Sequence, residues 1–316
     1  MKINYKLIKW ILQLCGTIVL MYLTLQKVDV KEMVSVFREM NLSLLLFIPM
    51  YLFLDLLINS YRIKALYKFY GLYTDLLRVL KVRLQGLFFS LAFPFLGDVY
   101  IIQTYKNLYG SSYWKHAAVI FLDRVIYTFA LTIIIVPVWL LRVIDVGPYL
   151  RIAIIVLLGI EIFIFFVLNK PLILTRLNTL IKRIGIKNES LLPVFEERNG
   201  YLKAIFINAS VALLRHFLTV IIYLMIAYSL LHHMQFSISR FAFAVFTLVL
   251  ARVLPVSVGG IGLREYIAVV IFPQIGISAD YAFTIAFVIS SLAILEGMIG
   301  GVTYFLGKAK VIIWRD

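Results

Sequence analysis

Residues 241–272 read FAFAVFTLVLARVLPVSVGGIGLREYIAVVIF and are the most informative part of the chain about its fold. An apolar run ends at Pro255, a segment with three glycines follows, and a second apolar run begins after Arg264 and Glu265. Each run is shorter than the roughly 20 residues that a membrane-spanning helix needs. Irregular backbone at membrane depth is tolerated only where it is buried in protein or lines a cavity. The stretch therefore predicts a re-entrant helical hairpin with its tip at the glycines.

A second, similar hairpin is predicted earlier in the chain. Residues 84–96 (LQGLFFSLAFPFL) form a short apolar run, and a half-polar helix-like stretch follows at 98–109. Both tips carry a proline, then glycine, then a carboxylate. Each hairpin follows an arginine near a span and precedes a long apolar run that contains a carboxylate. The pattern predicts an internal repeat, with broken helices of the kind that many transporters use.

Composition places the hairpins in a membrane protein. Apolar residues make up 63% of the 316 residues and charged residues only 15%, which excludes a water-soluble globule and a disordered chain. We expect one integral membrane domain over residues 1–316. Its first half covers about 1–141, its second half about 149–308, and a cytoplasmic connector about 170–204. The predicted spans are 7–25, 43–60, 117–141, 149–169, 205–231 and 282–306.

The net charge of +15 tests this topology. With six spans and two hairpins that enter from opposite sides, 21 of the 31 Lys and Arg residues lie on the cytoplasmic side and 6 outside. Such an excess is the positive-inside signal, and it places both termini in the cytoplasm. The fold class is thus an all-α polytopic membrane protein with an inverted repeat. The positive charge is explained without a nucleic-acid partner.

Ionisable residues at membrane depth are the candidates for function, because each costs at least about 2.5–3.5 kcal/mol at the centre of a span. Arginine is suited to bind a phosphate-containing head group through its planar fork of donors. The alternative is that these charges pair with one another and that the glycines only permit close packing. Asp123 and Arg124 lie near a span end, where snorkelling is an alternative. The predicted head-group site comprises Arg252, Pro255, Ser257, Gly259, Gly260, Gly262, Arg264, Glu265 and Glu296; its first-half counterpart comprises Arg62, Pro94, Gly97, Asp98, Asp123 and Arg124; Arg215 and Glu161 support it.

Motifs for catalysis are missing from the sequence. No His or Cys cluster has the spacing of metal ligands, and there is neither a P-loop nor a G-x-S-x-G nucleophile elbow. We therefore predict no catalytic residue, no metal and no cofactor, and transport driven by ATP bound to this chain is not expected.

The quoted motifs resemble those of one family. The stretch from Pro255 to Glu265 closely resembles the Pro-x-x-x-Gly-Gly-x-Gly-x-x-Glu signature of the lysylphosphatidylglycerol synthase transmembrane (flippase-like) family. The run from Pro94 to Asp98, followed by Asp123-Arg124, is similar to that family's first-half elements. The likeness extends over about residues 5–308. Two arginines of the family pattern are absent: Tyr100 and Gln103 follow the first-half carboxylate, and the last span offers Ser290, Ser291 and Glu296 instead.

The resemblance implies a membrane domain that moves a lipid head group between leaflets. Since the chain ends at Asp316, it looks like a stand-alone member without the aminoacyltransferase domain, acting on an anionic or modified phospholipid or a polyprenyl-linked lipid. The alternatives are a membrane component of a lipid aminoacyl- or glycosyl-transferase system, or a scaffold for such an enzyme. We expect membrane lipids as ligands, the plasma membrane of a prokaryote as location and a lipid-modifying enzyme as a candidate partner, with oligomerisation left open.

Overall fold

A computed structural model describes residues 5–140, 147–168, 179, 201–231, 236–251, 257 and 260–313. These residues form α-helices and short 3-10 turns and contain no strand, in agreement with the predicted all-α class. The helices are α1 (Tyr5–Leu25), α2 (Val30–Glu39), α3 (Ile48–Phe69), α4 (Leu76–Ala92), α5 (Pro94–Tyr109), α6 (Tyr113–Leu140), α7 (Gly147–Leu168), α8 (Tyr201–Leu230), α9 (Ile238–Ala251), α10 (Leu263–Ile271) and α11 (Ala279–Ile313).

Three helical segments of the described chain are long and apolar enough to cross a membrane: Tyr113–Pro137, Lys203–Leu230 and Ala279–Gly307. Shorter apolar helices occur at Gln13–Leu25, Ile154–Ile164 and Ile238–Leu250. The protein is therefore an α-helical, polytopic membrane protein. The count of six spans, the re-entrant course of the hairpins and the cytoplasmic location of the termini stay predictions. Most of the predicted connector, 170–204, lies outside the described residues.

The two halves share one order of elements, a long helix followed by two short helices and another long helix. In the first half these are α3, the pair α4–α5, and α6; in the second they are α8, the pair α9–α10, and α11. The predicted span 43–60 is displaced, because a 3-10 turn precedes α3 and the helix runs on to Phe69. Helix α4 also begins earlier than predicted, at Leu76, where the Asp75 carboxylate accepts the first backbone N–H groups.

The first helix pair is broken where the sequence predicts. Phe93 has extended backbone (φ −150°, ψ 134°), and Pro94 then occupies the first turn of α5. A residue before proline is disfavoured in the helical region, so α4 must end here. The two helices fold back on each other at Gly86 and Gly97. A Cβ atom at Gly97 would lie 2.5 Å from the carbonyl oxygen of Gly86.

Each half has its own apolar core. In the first half, buried side chains of α3 to α6, such as Leu66, Val82 and Tyr105, pack together. The larger core is built mainly by α8 to α11, with Phe241 and Phe272 in ring contact at 5.3 Å, and it also takes in the distal half of α6. The hairpins are therefore part of the packed interior rather than appendages, which fixes the position of their tips.

The last helix joins the halves through glycines. A Cβ atom at Gly300 would lie 2.0 Å from the backbone carbonyl oxygen of Leu84, so α11 and α4 approach with almost no side chain between them. Contacts of this closeness are typical of small residues at helix crossings in membranes. Gly297 and Gly301 continue the same surface, facing Leu91 and Phe88.

Candidate functional site

The tip of the second hairpin is shaped by two glycines with left-handed backbone. Gly260 has φ +82° and Gly262 has φ +84°, a region in which side chains are strained. Helix α10 begins directly after them, at Leu263. The N-terminal N–H groups of a helix have no partner within the helix, and the helix dipole favours an anion at this end. The sequence motif therefore forms a turn that opens a nine-residue helix inside the protein.

Arg264 and Glu265 are connected through a hydroxyl group rather than by a direct ion pair among the described contacts. The guanidinium of Arg264 donates from Nη1 to Ser290 Oγ on α11, at 3.0 Å. Ser290 in turn donates to Glu265 Oε1. The other carboxylate oxygen of Glu265 accepts the backbone N–H of Gly262 at 2.6 Å and caps α10. Glu265 is thus occupied on both oxygens, whereas Arg264 retains donors.

Two buried polar atoms at this tip have no hydrogen-bond partner within the described part of the chain. They are Nε of Arg264, a residue that is 1% exposed, and Oγ of Ser257, a residue that is 2% exposed. A buried donor left unsatisfied costs about 1–3 kcal/mol, and more for a charged group. Native proteins keep few such groups, so each one calls for a physical explanation. A bound anion would supply the acceptor that Arg264 Nε lacks.

Helix α1 covers the tip. A Cβ atom on Gly262 would lie 2.9 Å from the carbonyl oxygen of Thr17 and 3.4 Å from the side chain of Leu20. Glycine at this position therefore serves two needs, the positive φ and the close approach of α1. The opposite face of α1 exposes large apolar side chains, among them Ile18 (60%) and Tyr22 (62%). Helix α1 thus separates the tip from an exposed apolar surface.

The first hairpin presents an ion pair instead of a buried donor. Arg124 on α6 binds Asp98 on α5 through two hydrogen bonds, from Nη2 at 2.7 Å and from Nε at 3.2 Å. The two side chains are 46% and 24% exposed. Gly97, beside this pair, is needed for the close contact with α4. The predicted first-half site is therefore a paired, partly exposed group.

Asp123 and Arg62 belong to a different, buried cluster, so the snorkelling alternative is wrong for Asp123. Their side chains are 5% and 2% exposed and form an ion pair at 2.9 Å. Asn208 on α8 bridges the pair: its amide donates to Asp123 at 3.2 Å, and its carbonyl oxygen accepts from Arg62 Nε at 3.3 Å. Arg62 also donates to the backbone carbonyl of Asp123 at 3.0 Å.

A second ion pair completes this cluster, which we name the central network. Arg215 on α8 binds both carboxylate oxygens of Asp55 on α3, at 2.7 and 3.2 Å. It also donates to the hydroxyl of Tyr127 on α6. The guanidinium groups of Arg62 and Arg215 each lie 4.9 Å from the centre of the Tyr127 ring. The central network consists of Asp55, Asn59, Arg62, Asp123, Tyr127, Asn208 and Arg215, and it ties α3, α6 and α8 together.

The two remaining predicted residues, Glu161 and Glu296, lie on different helices. Glu161 on α7 is 3% exposed and forms no ion pair with any described residue. Glu296 lies on α11, between Ser290, which contacts the second hairpin, and Gly297, which contacts Leu91 close to the tip of the first. The seven steps along the helix from residue 290 to residue 297 correspond to roughly 10 Å. Helix α11 is thus the element that links the two tips.

The structure therefore separates the predicted site into parts. Arg264 and Glu265 lie with Gly260 and Gly262 at one tip, Gly97 and the Asp98–Arg124 pair at the other, and Arg62, Asp123 and Arg215 in the central network. Three predicted residues, Arg252, Pro255 and Gly259, lie outside the described residues. Within the described residues, no group of three or more His, Cys, Asp or Glu side chains could hold a metal ion.

Several polar residues of these clusters were not predicted. Ser290 connects Arg264 to Glu265, and nothing in its local sequence indicates that partner. The sequence did contain a signal for Asn59 and Asn208, namely polar residues at helical spacing. Asp55, Asn59 and Arg62 are four and three residues apart and so share one helix face. Asn208 lies two turns before Arg215. A polar stripe at helical spacing inside an apolar span indicates a buried polar interface.

Comparison with known families identifies the chain. The family described as "Lysylphosphatidylglycerol synthase TM region" matches residues 10–301. The chain belongs to this family, as its motifs indicated, and membership fits a role connected with membrane lipids. No curated protein and no solved structure matches the chain significantly.

Proposed function

We propose that this member of the lysylphosphatidylglycerol synthase TM region family moves lipids between leaflets, by binding an anionic or modified head group at the tip of the second hairpin. The observation that carries the proposal is the guanidinium of Arg264, which is 1% exposed and keeps Nε without a hydrogen-bond partner among the described residues. Charged groups at membrane depth are costly and mark ligand or ion pathways.

The tip offers the donors that a phosphate-containing head group needs. Arg264 supplies a planar guanidinium, which binds oxyanions at two points. The start of α10 supplies backbone N–H groups and the positive end of the helix dipole. The hydroxyl of Ser257 is a further buried donor. Glu265, held by Gly262 and Ser290, keeps the turn in shape and balances the charge of Arg264.

Access from the bilayer requires α1 to move. Because α1 lies against Gly262 and turns its apolar side chains outward, displacing it would expose the tip to the lipid-facing surface. The acyl chains would then stay in the bilayer while the head group enters the protein. The repeat of two helix–hairpin–helix halves suggests that rocking of one half against the other alternates the access between leaflets.

The proposal includes a topology and a location. It has six spans, two re-entrant hairpins inserted from opposite sides, both termini in the cytoplasm, and the plasma membrane of a prokaryote. Single cysteines at Lys31 and Lys115, introduced after replacing Cys15, test the orientation. An impermeant thiol reagent should label the first in intact cells and the second only after lysis, and labelling in the reverse order would contradict the topology.

Reconstitution tests the function. Purified protein in phosphatidylcholine–phosphatidylglycerol vesicles should accelerate leaflet exchange of fluorescent phosphatidylglycerol, measured by quenching of the outer-leaflet probe. Arg264→Gln should lose the acceleration, and the matched control Arg240→Gln, which changes an exposed arginine on α9, should keep it. No acceleration by the wild-type protein with anionic, zwitterionic or polyprenyl-phosphate lipids would overturn the proposal.

The chain acts in this account as a translocator and not as an enzyme, with lipids as its ligands and a lipid-modifying enzyme as a partner that supplies them. Incubating the purified protein with lipid and an activated aminoacyl or glycosyl donor tests this point. A modified lipid product formed by the protein alone would favour the transferase alternative. A protein that moves no lipid, yet raises the yield of a co-reconstituted lipid-modifying enzyme, would favour the scaffold.

A further inference from the structure

One buried acidic group takes part in neither hairpin tip nor central network. Glu161 lies on α7, and both of its carboxylate oxygens are buried without a hydrogen-bond partner of good geometry among the described residues. Every other buried acidic side chain that the structure describes has a cation, an N–H group or a hydroxyl group in contact: Asp55 has Arg215, Asp123 has Arg62, and Glu265 has Ser290. Glu161 is the exception that needs a role.

The side chain of Glu161 lies on the inward face of α7. Its neighbours Ile160 and Ile162 are 49% and 54% exposed, whereas Glu161 is 3% exposed. It continues the inward face that Leu157 and Ile154 form one and two turns earlier, against the larger apolar core. A carboxyl group without a role inside the protein is accommodated more easily at a helix end, where it can reach water.

Helix α6 packs against α7 and provides the surroundings of the carboxyl group. The hydroxyl groups of Thr128 and Thr132 lie close to it. Both hydroxyls donate to backbone carbonyls of their own helix, Thr128 to Arg124 at 3.0 Å and Thr132 to Thr128 at 2.9 Å. They therefore offer the carboxyl group lone pairs that can accept a hydrogen bond, which suits a carboxylic acid better than a carboxylate.

The charged side chains of these two helices leave Glu161 without a counter-ion. On α6, Asp123 is paired with Arg62 and Arg124 with Asp98, while Lys115 and His116 lie at least twelve residues before Thr128, roughly 18 Å along the helix. On α7 itself, Arg151 lies ten residues earlier, roughly 15 Å along the helix. No positive charge of the described residues stabilises a carboxylate in this place, and the simplest way to neutralise it is to bind a proton.

We propose that Glu161 binds and releases the proton that accompanies each lipid through the translocation cycle. This inference rests on the proposed function. A head group with one negative charge that crosses the membrane alone is driven or resisted by the membrane potential. A proton on Glu161, taken from the aqueous phase on one side and released on the other, would make the combined movement electroneutral.

Thr128 and Asp123, five residues apart, lie on different faces of α6, so this helix contacts Glu161 on one side and the central network on the other. A change in the hydrogen bonding of Thr128 and Thr132 would therefore act on α6, whose other side contacts α3 and α8 through the central network. Proton binding at Glu161 is in this way connected through α6 to α3 of the first half and α8 of the second.

The test uses fluorescent phosphatidylglycerol in vesicles with a gradient of one pH unit and the membrane potential set to zero. One proton per lipid would bias the leaflet distribution about tenfold for the wild-type protein at steady state. Glu161→Gln, which has the same shape and cannot titrate, should exchange lipid between leaflets but leave the distribution near one to one. Glu161→Asp should retain the bias, because it keeps a carboxyl group.

A pH-sensitive dye inside the vesicles gives a second readout, the movement of protons that depends on added lipid. Wild-type protein that exchanges lipid without bias or proton movement would overturn the inference and leave the proposed function standing. The same holds if Glu161→Gln keeps the tenfold bias. A wild-type protein that exchanges no lipid at all would instead overturn the proposed function. Thermal unfolding in detergent shows whether each variant is folded.

Discussion

The central network and the tip of the second hairpin are both buried, polar and built around arginine, yet they differ in how completely their groups are satisfied. In the network, Arg62 and Arg215 each have a carboxylate at 2.9 Å or less, and asparagine side chains fill further positions. At the tip, Arg264 has one described side-chain partner, a serine hydroxyl, and its Nε has none.

This difference indicates different roles for the two regions. Closed ion pairs between helices fix their positions, and a ligand would have to break strong contacts to enter. An arginine with unused donors at the start of a helix is prepared for an acceptor that comes from outside. We therefore assign a structural role to the central network and a binding role to the tip, and variants of the two regions should behave in opposite ways.

The largest loss of stability is expected from breaking the central network. Arg62→Met would leave the Asp123 carboxylate, 5% exposed, without its cation, and removing one partner of a buried pair typically costs about 3–5 kcal/mol. Unfolding in detergent should show this loss, with Arg240→Met as a control that stays near wild type. A loss of stability below about 1 kcal/mol would mean that the network is not the structural centre of the bundle.

A smaller loss is expected at the crossing of α4 and α11. In Gly300→Ala the new methyl group would meet the Leu84 carbonyl oxygen at 2.0 Å, so the helices must separate, at about 1–3 kcal/mol. Gly159→Ala on α7 is the matched control, because nothing lies within 4 Å of its Cβ position. The control should be neutral or slightly stabilising, since alanine favours a helix. Equal stability of the two variants would contradict the close crossing.

The partly exposed Asp98–Arg124 pair of the first hairpin should contribute least to the free energy of unfolding. Asp98→Asn removes the carboxylate that pairs with Arg124. The side chains of Asp98 and Arg124 are 24% and 46% exposed. Solvent screening limits such pairs to about 0.2–1 kcal/mol. The midpoint of unfolding should therefore change little, and raising the salt concentration should reduce the difference further. A loss as large as that of Arg62→Met would show that this pair belongs with the network.

The sequence was sufficient to predict the short paired helices and the breaks between them, but not the side chains that pair across helices. Short apolar runs that end at Pro94 and at the glycines of 255–262 are local signals, and a break in the helix follows from them directly. The partners of Asp55 and Glu265 are different in kind. Arg215 is 160 positions from Asp55, and Ser290 is 25 from Glu265. Which residues meet across helices depends on how the helices are rotated and offset, and that is decided by packing, such as the crossing at Gly300.

One measurement addresses the central claim that Arg264 is a binding group and not a structural one. Leaflet exchange of fluorescent phosphatidylglycerol and the free energy of unfolding are measured on the same preparations of wild type, Arg264→Gln and Arg240→Gln. We expect Arg264→Gln to lose exchange while its stability stays within about 1 kcal/mol of wild type, since one of the buried donors of Arg264 has no partner to lose. Exchange at the wild-type rate in Arg264→Gln, or a loss of stability equal to that of Arg62→Met, would contradict it.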